Sequence, residues 1–375
     1  MCIFVSLKAS QMKISEIIGH LESLSPLSLQ EDYDNCGLLL GDPAWEFQKA
    51  LLCLDLTENV MAEAISHQCN LVISHHPFIF RGVKRFTSGN PETPVITMAI
   101  KNDIAVYAIH TNLDNTLHGL NALVLAKIGI SRYRVLSPKS DLQSKLAVFC
   151  PVDHAEKVRQ SLFNAGAGHI GNYDCCSYNL VGEGTFRASD NANPYVGEKN
   201  TIHVEQETRI EVIFPQYLEG KIVNALIENH PYEEVAYDLY PIQNKMTQAG
   251  SGLIGEFEDP CEETELLTRI KKNLSIPLIR HSPFRSKPVK TVAICTGSGS
   301  FLIREAINSK ADAYLTADLK YHDFFGMENR LLLADIGHYE SENGVKEWLY
   351  AALIEKFPTF AFLISEVNTN PVHYF

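Results

Sequence analysis

Short apolar runs alternate with stretches of helical periodicity along most of the chain. Residues 12–24 repeat their apolar positions at the spacing of one helical face, and Thr57 is suited to cap a helix that extends to His67. The apolar runs at 71–74 and 104–109 are continuous rather than alternating, which is typical of strands buried on both faces of a parallel sheet. This order of strands and helices predicts an α/β layer with a largely parallel sheet.

The pattern changes between residues 137 and 246. Residues 166–200 are rich in Gly, Asn, Tyr and Ser, which indicates twisted strands and long loops, and the elements follow the order β-α-β-β-α-β. That order is found in the ferredoxin-like α+β unit, which closes on itself and can be inserted into another fold. We therefore predict an α/β host domain of two sequence-separated segments, 12–136 and 247–375, with an inserted ferredoxin-like domain at 137–246. The Gly-Ser-Gly sequence at 250–252 is interpreted as the linker that returns to the host.

Composition and charge narrow the classes of function. The 375 residues carry 32 Lys and Arg against 45 Asp and Glu, a formal net charge of −13, and no run of basic residues stands out. A nucleic-acid partner is therefore disfavoured, because binding to the phosphate backbone relies on clustered Lys and Arg. No stretch approaches the roughly 20 apolar residues of a membrane helix, and residues 1–11 lack the features of a secretory signal. Since the nine cysteines form no CxxC pair, we predict a cytoplasmic protein without a disulfide framework or a membrane partner.

Two adjacent histidines follow the apolar run at 71–74. His75 and His76 stand where Pro77 ends the strand, and the turn of the chain there allows both imidazoles to reach one small volume. Histidine is the commonest side-chain metal ligand, although a hydrated pair at a strand end explains these two residues equally well on their own. The metal interpretation is favoured because two later strands also end in residues of ligand type.

These further ligand-type residues lie at the presumed carboxyl ends of strands, where open α/β sheets have their sites. His110 and Asp114 share the loop after the run at 104–109. His338 and Glu342 are four residues apart at the start of a helix, so their side chains share one face. A capping role in the first turn of that helix is the alternative for Glu342.

Other candidates carry weaker signals. Asp318 and His322 are also four residues apart, and an ordinary helix-start pair is favoured there over contacts with the metal ligands or with a substrate. Asp55 has only its position near a strand end in its favour. The Gly-Ser-Gly-Ser sequence at 297–300 lies between a strand and a helix, yet no Gly-Lys-Ser/Thr follows it, so simple turn glycines are favoured over a phosphate loop. The chain contains no Gly-x-Ser-x-Gly elbow, and nucleophilic catalysis is not indicated.

The favoured candidates form a mixed nitrogen and oxygen donor set. They are three imidazoles and two carboxylates, at His75, His76, His338, Asp114 and Glu342. Such a set suits two divalent ions of Zn, Fe, Mn or Co and disfavours calcium, with Asp114 or Glu342 as the bridging ligand. Two ions about 3.5–4 Å apart would hold a hydroxide and clamp a substrate for hydrolysis. His110 is the candidate for proton transfer or for orienting a ligand, and a histidine that caps a strand end is its alternative.

The same residues lie in stretches that resemble the NIF-three-like family, also called GTP cyclohydrolase I type 2 homologues. The matching stretches are Asp34-Asn35-x-Gly37-Leu38, Ser74-His75-His76-Pro77, His110-Thr111-Asn112-Leu113-Asp114, Thr316-Ala317-Asp318 with Tyr321-His322, and Gly337-His338 with Glu342. The resemblance implies a dinuclear metal site at His75, His76, Asp114, His338 and Glu342, in which the glutamate bridges. Ala317 replaces the family's usual glycine at a position outside that ligand set.

The middle segment resembles the PII/CutA-like domain that longer family members contain. Residues 154–159, 166–173 and 230–237 carry this second resemblance. For the insert we expect a role in stability or assembly, and signal binding is the alternative. The resemblance to the family as a whole implies a homo-oligomer, a toroidal hexamer.

These observations predict a dinuclear-metal-dependent hydrolase that uses a metal-bound hydroxide. The family label suggests ring opening of GTP, but no residue selects guanine, and other nucleotide-like or phosphorylated small molecules fit equally well. A non-catalytic metal-binding scaffold, such as a metal chaperone or regulatory partner, is the alternative function. A nucleic-acid-binding ring is a further alternative that the net charge of −13 disfavours.

Overall fold

Fifteen β-strands and eleven α-helices form in the described part of the chain, residues 12–87 and 89–375 of a computed structural model. The strands are β1 Gly37–Leu40, β2 Lys49–Cys53, β3 Leu71–Ser74, β4 Ala105–Ala108, β5 Arg132–Pro138, β6 Gln143–Pro151, β7 Tyr178–Arg187, β8 Ile202–Pro215, β9 Tyr237–Ile242, β10 Gly250–Cys261, β11 Arg280–His281, β12 Val289–Ser298, β13 Ala313–Ala317, β14 Leu332–Asp335 and β15 Ala361–Ile364. The helices are α1 Ile14–Leu24, α2 Glu58–Ser66, α3 Thr93–Lys101, α4 Thr111–Asp114, α5 Leu120–Ile128, α6 Ala155–Ala165, α7 Glu219–Asn229, α8 Glu263–Asn273, α9 Ile303–Asn308, α10 His338–Glu342 and α11 Val345–Lys356. This content is the mixed α/β class that the hydrophobic pattern predicts. Residues 1–11, the segment judged to lack a secretory signal, lie outside the described residues, and within those residues no helix is long and apolar enough to cross a membrane.

The chain divides into two compact units, and the first contains two mixed sheets. This unit comprises the described part of Met1–Pro138 together with Gln248–Phe375. One sheet has the order β1-β4-β3-β2-β15 and is parallel except for β1, and the other has the order β11-β14-β13-β12-β10-β5 with only β12, β13 and β14 parallel. The expectation of a largely parallel sheet is therefore met in the first sheet, and in the second only at its centre. The antiparallel strands are β1 at one edge of the first sheet and β11, β10 and β5 in the outer parts of the second.

Continuous apolar runs arise in the first sheet because helices cover both of its faces. In β2, Ala50 and Leu52 pack in one core cluster with α1 and α11, whereas Leu51 and Cys53 pack in a second cluster with α2 and α3. Successive side chains of a strand point to opposite faces, so a strand covered on both sides needs apolar residues at every position. The predicted cap of α2 is confirmed, since the Thr57 hydroxyl accepts the Val60 amide at 3.4 Å.

The second unit, Lys139–Thr247, is built on a four-stranded antiparallel sheet. Its strand order is β7-β8-β6-β9, and the elements follow the chain as β6, α6, β7, β8, α7 and β9. Alternate residues of β6 and β8, among them Val148 and Ile210, form its core with Val158 of α6 and Leu226 of α7. In sequence, this unit lies between the two parts of the first.

The Gly-Ser-Gly sequence at 250–252 is part of β10, so its interpretation as a linker is wrong. Ser251 pairs with Ser137, and Gly252 adopts a φ of 65°, a value that side-chain-bearing residues rarely take. A Cβ on Gly252 would lie 2.7 Å from the carbonyl oxygen of Ile294. These glycines therefore serve close strand pairing, which the sequence alone does not separate from a flexible turn.

Candidate metal centre

The candidate ligands come from loops that follow parallel strands in both sheets of the first unit. His75 and His76 follow β3 directly, and their amides still bond the carbonyl oxygens of Cys53 and Leu54 at 3.1 and 3.0 Å. Asp114 ends α4, the short helix that follows β4. The second sheet contributes α10, which begins three residues after β14 ends at Asp335. The carboxyl ends of the central strands of both sheets thus face one volume, as sites in open α/β sheets do.

His75 presents a buried lone pair to a buried carboxylate. Its Nδ1–H donates to the Ile109 carbonyl at 2.7 Å, which leaves Nε2 unprotonated and 3.7 Å from Asp114 Oδ1. Burial lowers the pKa of His75 to about 3, so the imidazole is neutral, and burial together with Glu342 raises the pKa of Asp114. Neither Nε2 nor Oδ1 has a hydrogen-bond partner among the described residues, although both atoms are buried. Two buried acceptors facing each other are costly unless a cation lies between them, so the residues fit a metal ion.

Glu342 joins two further imidazoles. Its Oε2 lies 3.0 Å from Nε2 of His76 and 3.0 Å from Nε2 of His338, and the residue is only 2% exposed. Burial acts to raise the pKa of Glu342, but the contacts with the two imidazoles outweigh it and hold the pKa well below its usual range. The predicted shared face of His338 and Glu342 on one helix is thus present.

A separate carboxylate orients each of these two imidazoles. Asp55 accepts the Nδ1–H of His76 at 2.7 Å, and Asp318 accepts the Nδ1–H of His338 at 2.7 Å. Burial alone would lower both imidazole pKa values, but the carboxylates raise the pKa of His76 to about 9 and that of His338 to about 11. A metal ion must displace those protons from Nε2, and a carboxylate on the opposite nitrogen is the usual way to orient a ligating histidine.

The side chains form three overlapping groups that could each hold an ion. Within each group, one ligand atom per residue lies within 4.8 Å of the others. The groups are His75, Asp114 and Glu342; His76, His338 and Glu342; and His75, His76 and His110. The structure therefore brings all five predicted ligand residues together, and Glu342, which occurs in two groups, is better placed to bridge than Asp114.

His110 lies against the same cluster. Its ring centroid is 5.2 Å from that of His75 and 5.1 Å from that of His76, and both ring pairs are edge-on. Nδ1 of His110 lies 2.9 Å from Asp34 Oδ1, and Asp34 also accepts the Thr111 amide at 3.0 Å. Burial acts to raise the pKa of Asp34, but the hydrogen bonds from His110 and Thr111 outweigh it and hold the pKa well below its usual range. An ionised Asp34 can only accept in this contact, so Nδ1 of His110 is the donor.

Three carboxylates that orient histidines carried little weight in the sequence interpretation. Asp55 and Asp318 were weak candidates, and Asp34 was named only in the family motif. Asp318 was expected to form a helix-start pair with His322, but its carboxylate bonds His338 instead. Asp55 and Asp318 lie just beyond β2 and β13, at the strand-end positions where sites are expected, but the sequence did not indicate which imidazole each one contacts. Asp34 precedes β1, and apart from the family motif no sequence signal connects it with His110.

Gly297 proves to be more than a turn glycine. It adopts a φ of 63°, and its amide donates to the Ser341 hydroxyl at 3.1 Å. A Cβ at this position would lie 2.1 Å from Oε1 of Glu342. The absence of a side chain therefore allows α10 to bring its glutamate against β12.

A cavity of about 510 Å³ reaches the centre from one side. Its lining includes the candidate ligands His76 and His338, together with Arg280, Tyr339 and Tyr374. Away from the imidazoles the lining combines apolar side chains with four carboxylates. The apolar residues are Leu54, Leu278, Pro371 and Val372, and the carboxylates are Asp55, Asp318, Asp335 and Glu340. A small molecule that enters this cavity would reach the candidate metal ligands directly.

Comparison with known proteins agrees with this architecture. Residues 12–371 match the family model for Duf34/NIF3 (NGG1p interacting factor 3). The chain is 36% identical to the GTP cyclohydrolase 1 type 2 homolog of Bacillus subtilis strain 168, over 97% of this chain and 99% of the relative, and 36% identical to the protein of that name from Halalkalibacterium halodurans, over 96% and 99%. Among solved structures, a Bacillus cereus protein related to NIF3 superposes with a TM-score of 0.84 at 35% identity, covering 98% of this chain and all of that one. Staphylococcus aureus protein SA1388 superposes with a TM-score of 0.74 at 28% identity, covering 97% and 99%. The chain therefore belongs to the Duf34/NIF3 family.

Proposed function

We propose that this protein is a hydrolase that depends on two divalent metal ions. The observation that carries the proposal is the pair of buried acceptors, Nε2 of His75 and Oδ1 of Asp114, that face each other without a hydrogen bond. A cation between them would remove the cost of burying both atoms. His76 and His338 would hold a second ion, with Glu342 shared between the two.

The ions, when bound, would lower the pKa of a water molecule and polarise the substrate. Zn, Fe, Mn or Co suits the mixed donor set. The chain's own contribution is orientation and proton transfer. Asp55 and Asp318 hold the two imidazoles with Nε2 turned to Glu342, and Asp34 holds the Nδ1 proton of His110. His110 can therefore accept and return a proton at Nε2 while its ring orientation stays fixed.

The substrate in this proposal is a small molecule that enters the cavity of about 510 Å³. Arg280 lines this cavity with its guanidinium paired to Asp335, and the rings of Tyr339 and Tyr374 offer planar apolar faces. A nucleotide-like or phosphorylated substrate has the matching features, a ring for these faces and an anionic group for the proposed ions. The printed name of the Bacillus subtilis relative, GTP cyclohydrolase 1 type 2 homolog, makes ring opening of a purine nucleotide the first reaction to test.

We also propose that the unit Lys139–Thr247 is an inserted ferredoxin-like domain. The antiparallel order β7-β8-β6-β9 supports this, because a β-α-β-β-α-β chain with its first strand inside the sheet is the arrangement of that fold. A toroidal homohexamer in the cytoplasm, as the family resemblance implies, completes the proposal. Light scattering after size exclusion should then give a mass of about 250 kDa, six times the 41.9 kDa chain.

Elemental analysis followed by a substrate screen tests the proposed function. Wild-type protein should retain two equivalents of divalent metal per chain, and His75→Ala should lose metal without unfolding. His322→Ala is the matched control, because His322 belongs to none of the three groups. Unchanged metal content in His75→Ala would contradict the ligand assignment. Metal-loaded wild type that turns over no nucleotide, phosphoester or cyclic amide would favour the non-catalytic scaffold.

A further inference from the structure

The unit Lys139–Thr247 contains a second cavity, of about 930 Å³. The proposed hydrolase function does not involve this cavity. Its floor is the sheet face opposite α6 and α7, since the lining residues Phe149 and Glu207 alternate with the core residues of β6 and β8. Gly182 and Gly184 of β7 leave this floor open. A Cβ on Gly182 would meet nothing within 4 Å, and one on Gly184 would lie 2.1 Å from Oε2 of Glu207. The Glu207 carboxylate therefore occupies the space that the missing side chain of Gly184 leaves on this sheet face.

Three aromatic rings form one wall of the cavity. The ring centroid of Tyr232 is 6.3 Å from that of Tyr195 and 6.4 Å from that of Phe186. The three residues come from different segments, namely the loop before β9, the loop between β7 and β8, and the end of β7. Large aromatic surface gathered in this way beside a cavity is a feature of ligand sites.

Hydrogen bonds fix Tyr232 before any ligand arrives. Its hydroxyl donates to Glu207 Oε1 at 2.9 Å, and its amide donates to Nδ1 of His230 at 3.1 Å. His230 is buried, and its Nε2 donates to the Phe149 carbonyl at 3.0 Å. A neutral histidine with both nitrogens engaged thus anchors the loop to the floor of the cavity.

The second loop is also anchored. The amide of Asn193 donates to Oε1 of Glu233 at 2.6 Å, and this bond joins the loop that carries Tyr195 to the loop that carries Tyr232. Because the rings are held by hydrogen bonds rather than by a ligand, the wall is already formed for binding. Preformed walls reduce the ordering cost that a small ligand must overcome.

Charge around the cavity is predominantly negative. Four carboxylates line it, at Glu183, Glu207, Glu233 and Glu234, against the guanidinium groups of Arg187 and Arg209. Arg209 is engaged, since its Nη2 lies 2.9 Å from Glu211 Oε1 and its guanidinium lies over the Phe149 ring at 5.7 Å. Glu207 Oε2 makes no hydrogen bond to another described residue. Carboxylate oxygens beside aromatic faces form the environment that stabilises an organic cation.

We propose that this cavity binds a small organic cation, an ammonium or guanidinium compound, with its charge between the aromatic wall and the Glu207 carboxylate. The aromatic rings attract the cation through their negative faces, and Oε2 supplies the opposite charge. A neutral molecule of the same shape gains only the apolar contact. The site thus discriminates by charge rather than by size.

Saturation-transfer difference NMR on the full-length protein tests this inference. The probes are choline and agmatine, an ammonium and a guanidinium compound, and the neutral control is 3,3-dimethylbutan-1-ol, which has the shape of choline without its charge. Choline or agmatine should bind about tenfold more tightly than the alcohol. Glu207→Gln should weaken binding of that cation about fivefold and leave binding of the alcohol unchanged. Tyr195→Ala should also weaken binding of the cation about fivefold, and binding of the alcohol by a smaller factor, because the alcohol loses only the apolar contact with the ring.

The variants are chosen to separate ligand contacts from folding. Tyr195 is half exposed, and glutamine at 207 keeps the acceptor for the Tyr232 hydroxyl. Tyr173→Ala is the matched control, because Tyr173 is 75% exposed in the same unit and does not line the cavity. Equal binding of choline and the alcohol, binding that neither variant weakens, or no binding of either cation at about 10 mM would each overturn the proposal.

Discussion

Replacing Gly297 by alanine would perturb the candidate metal centre without removing a ligand. The added Cβ would lie 2.1 Å from Oε1 of Glu342, whereas optimal contacts between such atoms are about 3.5 Å or longer. The Cβ is fixed to the backbone, so the Glu342 carboxylate must retreat by about 1 Å. That retreat takes Oε2 away from Nε2 of His76 and of His338, each 3.0 Å distant.

The magnitude follows from two separable costs. Alanine at a φ of 63° loses about 1 kcal/mol through the backbone, and metal–ligand distances tolerate deviations of only about 0.2 Å. A shift of about 1 Å therefore exceeds the tolerance for both ions that Glu342 is proposed to share. Zn²⁺ affinity should fall at least tenfold, because losses of roughly 10- to 100-fold are seen even when only a hydrogen-bond partner of a metal ligand is changed. Gly326→Ala is the control, since Gly326 has a φ of 73° and the nearest atom to its Cβ would be Nη2 of Arg330 at 3.9 Å.

Competition titration of Zn²⁺ against a chromophoric chelator measures the affinity, and calorimetry of the metal-free proteins measures stability. Both variants should unfold a few degrees below wild type, because both carry the backbone cost of roughly 1 kcal/mol. Only Gly297→Ala should lose metal affinity. Wild-type affinity in Gly297→Ala, or an equal loss in Gly326→Ala, would refute the argument that Glu342 is held in place by the space at position 297.

Three further outcomes are expected. Asp318→Asn should weaken Zn²⁺ binding about 10- to 100-fold in the same titration, because Asp318 accepts the Nδ1–H of His338, and an affinity within about threefold of wild type would contradict this role. Burial acts to raise the pKa of Asp312, but backbone amides and Arg285 outweigh it and lower the pKa below its usual value. Because the pKa is lower in the folded state, the ionised carboxylate stabilises the fold above the unfolded value of about 3.9, and this stabilisation is lost as pH falls through the folded pKa. In urea unfolding, Asp312→Asn should therefore lower the free energy of unfolding by its full amount near pH 7 and by less below about pH 4. An undiminished loss near pH 2 would contradict this. Zn²⁺ at about a thousand times its dissociation constant should raise the unfolding free energy by about 4 kcal/mol in calorimetry, and Glu342→Gln should remove most of that gain.

Sites of open α/β sheets lie at the carboxyl ends of strands, and this rule determines how much of the site could be predicted from the sequence. Residues directly after a buried run, such as His75 and His76, are visible as ligand candidates because the carboxyl ends of parallel strands converge. The same rule does not reveal that two sheets take part. Asp55 follows a strand of the first sheet and Asp318 one of the second, and each finds its imidazole only through the packing of the folded unit. Hydrogen-bond partners so distant in sequence have no local pattern.

The glycines also have contacts with distant segments that no local sequence pattern reveals. The sequence indicated a linker at residues 250–252 and turn glycines at 297–300. In both places, the folded chain brings another atom into the space that a side chain would fill. The carbonyl of Ile294 approaches Gly252, and the carboxylate of Glu342 approaches Gly297. A glycine's freedom at positive φ can be inferred from a turn signal, but the atom that occupies the vacant Cβ position belongs to a distant segment. By contrast, the Gly129 stop after α5 was predictable, since it depends only on its own helix.

Charge balance bears on how many ions the centre takes. Asp34, Asp114 and Glu342 bring three carboxylates into the buried part of the site, with side chains 0%, 17% and 3% exposed. One divalent ion would leave a buried negative charge, which is costly in a poorly solvated interior. Two ions balance the three carboxylates and leave one positive charge for an anionic oxygen of a substrate. Saturating Zn²⁺ titration should therefore end at two equivalents per chain, and an end point at one equivalent would argue that His76 or His338 stays protonated in its contact with Glu342 instead of binding metal.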